Sequence, residues 1–187
     1  MKRPLISVLA LCALLSGCGG GAASTTTEPT TTPEPQTEAV AVDASGLQIG
    51  GTVANFGVHR LTTGFTPDPA TIEVVSGGDI DASRVDTGGV ACAGFVTGQP
   101  DVIVHFDEMA GFLRFAFRPG TDGADATLVI NDGQGNWHCN DDGSGLNPVV
   151  DIADAVPGQY DIWIGSYNAQ EQIQGELLVT ELESVTP

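Results

Sequence analysis

The chain has 187 residues, 24 acidic side chains against 6 basic ones, and a formal net charge of −18 at pH 7. That balance excludes nucleic acid as a partner, because phosphate binding needs clustered Lys and Arg. The 25 glycines and 11 prolines interrupt the chain too often for a long helical bundle, and a single apolar run excludes a polytopic membrane protein.

Lys2 and Arg3 precede the apolar run Leu5 to Leu15, and Ser16 and Gly17 precede Cys18. A basic start, a short apolar stretch and small residues before a cleavage point make a secretory signal over residues 1–17. The run is short for a membrane-crossing helix. The tetrapeptide Leu15-Ser16-Gly17-Cys18 resembles the bacterial lipobox. The resemblance implies cleavage before Cys18 and lipidation of that cysteine; an ordinary secretory signal is the plainer alternative. Acyl chains anchor strongly, at about 0.8 kcal/mol per buried CH₂. Gly19 stands where Asp retains Gram-negative lipoproteins at the inner membrane, so the same resemblance implies a lipid-anchored envelope protein of the outer membrane. Loss of the signal removes Lys2 and Arg3. The mature chain then keeps Arg60, Arg84, Arg114 and Arg118 against 24 acids, a net charge of −20 (4 − 24).

Residues 18–46 read as the lipidated cysteine followed by a tether. From Gly19 to about Val42 the chain is dominated by Gly, Ala, Ser, Thr and Pro. It has too little to bury to offset its ordering entropy. Stiff Pro-rich chain spans about 3.1 Å per residue, so this stretch can hold a domain up to roughly 70 Å from the lipid. An O-glycosylated stalk has the same composition.

Residues 47–183 are expected to form one all-β domain, with 184–187 as a C-terminal tail. Short apolar runs bounded by turn residues follow one another: Leu47 to Ile49, Thr52-Val53, Ala70 to Val75, Val102 to Phe106, Phe112 to Arg118, Thr127 to Ile130, Pro148 to Ile152, Tyr160 to Ile164 and Ile173 to Glu181. Seven or eight strands at this spacing predict a sandwich or barrel. No stretch shows a 3.6-residue period, and the nearest helix candidate, Asp107 to Ala110, is too short to matter. Cys12 leaves with the signal and Cys18 takes the lipid. Cys92 and Cys139 are then an isolated pair in an oxidising compartment, which predicts a disulfide. It would close a 48-residue loop (139 − 92 + 1) and contribute on the order of 3–4 kcal/mol. Metal ligation by the pair is the alternative, without CxxC or HxxxH spacing to support it.

Three stretches carry a second resemblance: Asp125 to Trp137, Asn140 to Pro148, and Pro157 to Tyr167. Together they run strand, Asp-rich loop, strand, Pro-Gly turn and a Tyr-bearing strand. This resembles the bacterial pre-peptidase C-terminal (PPC) domain. Gly64 to Pro69, Gly77 to Ser83 and Cys92 to Phe95 resemble the opening of some exported proteins that carry it. The resemblance covers about Gly64 to Thr180. It implies a jelly-roll-like antiparallel β-sandwich, usually a non-catalytic appendage. No attached peptidase fits within this chain, which departs from the appendage arrangement.

Four sets of residues bear on chemistry. Asp132, Asn140, Asp141, Asp142 and Asn147 are candidate Ca²⁺ ligands, since Ca²⁺ takes six to eight oxygens from such side chains. The same residues also simply build turns, and their spacing is not that of an EF-hand. Asp86-Thr87-Gly88 echoes an aspartic peptidase, whose chemistry needs two Asp sharing a proton, so a single copy demands a homodimer; the later apolar-apolar-Gly match at Trp163-Ile164-Gly165 is cheap in a β protein, and a turn is the simpler reading. His59, His105 and His138 are the only histidines, and Gly165-Ser166-Tyr167 is no nucleophile elbow. Trp137, Trp163 and Tyr167 are candidate binding aromatics, able to stack on sugars or partner side chains, or else to pack the core. In a strand, Asp161 and Trp163 share one face, and Tyr160 and Ile162 the other. The expectation is a non-catalytic, lipid-anchored module binding a protein or glycan of the envelope, with Ca²⁺ as the one candidate cofactor. The competing expectation is a secreted hydrolase, most plausibly a peptidase.

Overall fold

A computed structural model describes residues 40–187; the signal, Cys18 and most of the tether lie outside the described residues. The first pairing is a hairpin of β1 (Ala41–Val42) and β2 (Gln48–Ile49). It starts inside the segment read as tether. Asp43 closes its turn, its carboxylate accepting from the N–H groups of Ser45, Gly46 and Leu47, as short acidic side chains do in turns.

Two larger sheets follow. One has four antiparallel strands in the order β11 (Val149–Ala155), β8 (Ala110–Pro119), β13 (Gln174–Thr180) and β4 (Ala70–Val75). The other has seven: β3 (Val58–Leu61), β5 (Ile80–Asp81), β6 (Phe95–Val96), β7 (Val102–Phe106), β9 (Ala126–Asn131), β10 (Trp137–Asn140) and β12 (Gly158–Ser166). Strand β12 is its axis. One edge pairs with β9 from Asp161 to Ser166; the other pairs with β7 from Gly158 to Ile162, then with β6 at Ser166. Only β3 and β7 run parallel.

The inner faces meet as a sandwich. Val104 and Phe106 of β7, Leu128 and Ile130 of β9, and Tyr160, Ile162 and Ile164 of β12 pack with Leu113, Phe115 and Phe117 of β8 and Leu177 and Val179 of β13. The residues recur at every second position, as the pleat requires, and each large apolar side chain so buried contributes roughly 1.5–3 kcal/mol. Tyr160 keeps its polar tip satisfied by donating to the Val156 carbonyl at 2.7 Å.

The seven-stranded sheet is covered on its other face too. Leu47, Ala82, Val85 and Val96 pack there on Val129 and Trp163. They come from the chain between the Asp43 turn and β7, which includes the 3₁₀ turn Ala82–Arg84 capped by Asp81. Double cover explains why β9 is buried at every position, which is the pattern of a strand with no solvent face.

The seven long strands expected from alternation all form. Thr52-Val53 does not: it lies in irregular chain with Val53 62% exposed. Strands β3, β5, β6 and β10 are too short to show a period, and they extend the expected count of seven or eight. The last residues are also tied down. Arg114 is bidentate to Asp151, at 2.6 and 2.7 Å, and its third nitrogen donates to the carbonyls of Glu183 and Val185 at 2.7 and 2.8 Å. The four-residue tail expected from sequence is thus clasped to the four-stranded sheet.

Candidate functional site in the outer loop layer

The layer over the outer face of the seven-stranded sheet holds four of the predicted site residues, Cys92, Cys139, Trp137 and Trp163. Its brace is the Cys92–Cys139 disulfide, with Cα atoms 5.1 Å apart, as expected. It ties the loop after the 3₁₀ turn to β10. Trp163 lies directly beneath and is fully buried. It therefore belongs to the core and offers no binding face, because a second layer covers the side of β12 that it shares with Asp161. Trp137 is half-buried and rests on it, ring centroids 5.8 Å apart. Tyr167 is 49% exposed but sits beyond Ser166, which pairs with Ala126, whereas Trp137 pairs with Asn131. The two accessible aromatics lie at opposite ends of β9 and share no surface.

The proposed calcium ligands are divided in the same way. Asp132 opens the β9–β10 turn. Its carboxylate accepts from the N–H groups of Gln134 and Asn136, at 2.8 and 2.9 Å, and from the Asn136 amide at 3.1 Å, while His138 Nε2 lies at 2.9 Å. Burial pushes this carboxyl up, but the hydrogen bonds from His138, Asn136 and Gln134 outweigh it and hold it below the usual carboxylate range. Asn140 pairs with Leu128 at the far end of the ladder, about 13 Å away at ~3.3 Å per residue. Its Oδ1 accepts from the Val149 N–H at 2.8 Å, and Asn147 closes a turn with Ser144. Asp141 and Asp142 lie instead toward Asp125, whose carboxyl is raised by burial, then by Asp142, Asp141 and Glu171. A hairpin four pairs long separates its ends, so the five residues cannot share an ion. Among the described residues no three His, Cys, Asp or Glu side chains stand close enough to hold a metal.

The catalytic candidates are scattered. Asp86 is exposed, and the Thr87 hydroxyl donates to the Val90 carbonyl in a glycine-rich turn. The apolar-apolar-Gly partner, Trp163 to Gly165, is interior to β12. His59 and His105 lie on neighbouring β3 and β7, while His138, on β10, stands against Asp132 within the β9–β10 hairpin. Ser166 is buried, its hydroxyl within 2.9 Å of the Asn168 and Glu171 carbonyls.

Two buried carboxylates in this layer escaped the sequence reading. Asp161 accepts from the Gly50 N–H and the Gln159 amide, both at 2.7 Å, and burial raises its pKa against those bonds. Asp101 is fully buried; it accepts from the Ile164 N–H and the Asn55 amide, both at 2.8 Å, and its Oδ1 lies 3.2 Å from the Thr97 hydroxyl. Burial pushes Asp101 up to about 6. The Thr97 hydroxyl has one proton, and its 2.6 Å contact to the Gln99 carbonyl takes it. Nothing in the residues Pro100-Asp101-Val102 marks this in sequence, because Asn55 and Ile164 are remote in the chain.

The accessible part of the layer is a shallow concavity of about 380 Å³ lined by Asp86, Thr87, Asn136 and Trp137 among others. A larger groove of about 710 Å³ lies elsewhere, beside Phe56, Glu73, Arg118 and Glu176.

No protein-family model matches the chain, and no curated protein matches it. Among solved structures it is similar to the pre-peptidase C-terminal domain of a collagenase from Bacillus anthracis, at 15% identity and a TM-score of 0.40, over 66% of this chain and 95% of that one. That is the domain type the sequence motifs resemble. At this TM-score the likeness carries no argument about family or activity; the β-sandwich is read from the strand pairing itself.

Proposed function

We propose that this chain is a non-catalytic binding module of the cell envelope, held by lipid on Cys18 at the outer membrane and spaced from it by the Thr- and Pro-rich tether that precedes β1. One observation carries the binding reading. The side chains able to do chemistry are separated or already spent in turns and caps, whereas the braced loop layer leaves a half-buried tryptophan beside an open concavity. Folds host many functions, and the site has to decide among them; this one has the parts of a recognition surface. The acidic surplus, with Asp43, Asp81 and Asp132 all engaged in turns or caps, serves local structure and solubility. Of the candidate calcium ligands, Asp132 stands apart from Asn140, Asp141, Asp142 and Asn147 at the other end of the hairpin, so the binding reading is argued without the ion.

The anchor is tested by Cys18→Ala: the chain should leave the membrane fraction and lose incorporation of a palmitate analogue. Unchanged membrane retention and labelling would overturn it. The non-catalytic reading is tested with an activity-based serine probe on the purified chain. Labelling abolished by substitution of one serine would overturn that part.

A further inference from the structure

We propose that the concavity beside Trp137 is a carbohydrate subsite that takes an uncharged sugar ring. The inference rests on the binding-module reading and names the ligand class of its site.

Trp137 is a rigid platform. One side of its indole packs on the buried Trp163, its backbone is registered opposite Asn131, and two residues on the chain is locked by the disulfide at Cys139. An aromatic held this way loses little freedom on binding, which favours affinity. Its remaining surface opens on the concavity. The rim there is kept low by Gly88 and Gly135. Both have positive φ, 67° and 82°, and a Cβ on either would meet nothing within 4 Å.

The polar groups at the rim suit hydroxyls. The Asp86 carboxylate is exposed, and its one recorded contact is a long 3.4 Å bond from the Gly88 N–H. The Asn136 amide nitrogen already donates to Asp132 and Gln134, at 3.1 and 3.3 Å, which leaves its oxygen to accept. Two acceptors beside an aromatic face match a ring with an apolar C–H face and donating hydroxyl edges. The concavity has small-molecule size. No Lys or Arg lines it, and the acidic chain repels anions, so acidic glycans and phosphates are excluded. A protein partner fits less well: the concavity is shallow and open, while protein hot spots are deep and desolvated.

The test is calorimetric titration of the purified full chain with oligomers of N-acetylglucosamine and of glucose, and with a glucuronate oligomer as the acidic control. Saturable binding of a neutral oligomer in the sub-millimolar to millimolar range is expected. Trp137→Ala should weaken it at least tenfold, Asp86→Asn about fivefold, and Trp137→Phe should restore part of the loss. The last two variants keep the test valid if Trp137→Ala does not fold. No saturable heat with either neutral oligomer up to roughly 10 mM would overturn the inference. So would equal binding of the glucuronate oligomer, or affinity indifferent to all three substitutions. Cleavage of a bound oligomer would break the non-catalytic reading while leaving the subsite in place; failure of every sugar, with the serine probe also silent, would remove the subsite alone.

Discussion

Strand β12 is buried twice, by different means. Toward the four-stranded sheet it turns Tyr160, Ile162 and Ile164 into a continuous apolar core fed by every long strand. Toward the loop layer it turns Asp161 and Trp163, and what holds that side is a small apolar cluster around Trp163 together with a disulfide, a tryptophan pair and hydrogen bonds to two buried carboxylates. The inner face is the scaffold, stabilised by area. The outer face is a mostly irregular layer whose shape depends on a few directional contacts, and loops held on a rigid scaffold are where binding surfaces are usually built.

The comparison breaks first at its strong side. Phe115 is fully buried in the inner core, and Phe115→Ala should lower unfolding stability by about 3–5 kcal/mol in urea titration, with both sheets affected together. The disulfide comes next. A Cys92→Ala, Cys139→Ala double variant should lose about 2–4 kcal/mol, and native-state hydrogen exchange should show the loop layer opening while inner strands stay protected. Equal loss of protection on both faces would show that the layer is no separate unit.

Asp101 sets a smaller, signed effect. Its pKa in the fold is raised to about 6, so the native state binds a proton that the unfolded chain has already released. Its contribution is therefore fully present below about pH 4 and is lost as pH rises through about 6. Asp161 is shifted in the same direction. Asp132 acts oppositely, its lowered pKa giving stability that is lost as pH falls through its folded value. The melting temperature should fall from pH 4.5 to pH 7, and Asp101→Asn should flatten that slope. An unchanged slope would place the pH dependence elsewhere. The smallest effect is expected from Trp137→Ala, about 1 kcal/mol for a half-buried side chain, with melting nearly unchanged and binding lost.

The inner face was readable from sequence because alternation reports it directly: Phe112 to Arg118 and Ile173 to Glu181 show which residues turn inward. The pairing of Cys92 with Cys139 followed from elimination and compartment. The outer face was not readable. The alternation of Tyr160 to Ile164 correctly puts Trp163 opposite the core residues, but nothing local reveals that a second layer buries it. Asp132 and Asn140 are close in sequence and similar in chemistry, yet the length of one hairpin decides that they cannot meet. Asp101 and Asp161 depend on Asn55, Thr97 and Gly50, whose positions only the tertiary fold supplies.

Hydrogen exchange of the full chain with and without a neutral envelope polysaccharide tests the central claim most directly, because it reports where binding occurs as well as whether it does. Added protection confined to residues 86–92 and 133–139, around the disulfide and Trp137, is the predicted result. Protection centred on the groove of Glu73, Arg118 and Glu176, or none in either place, would contradict the assignment of the loop layer as the binding face.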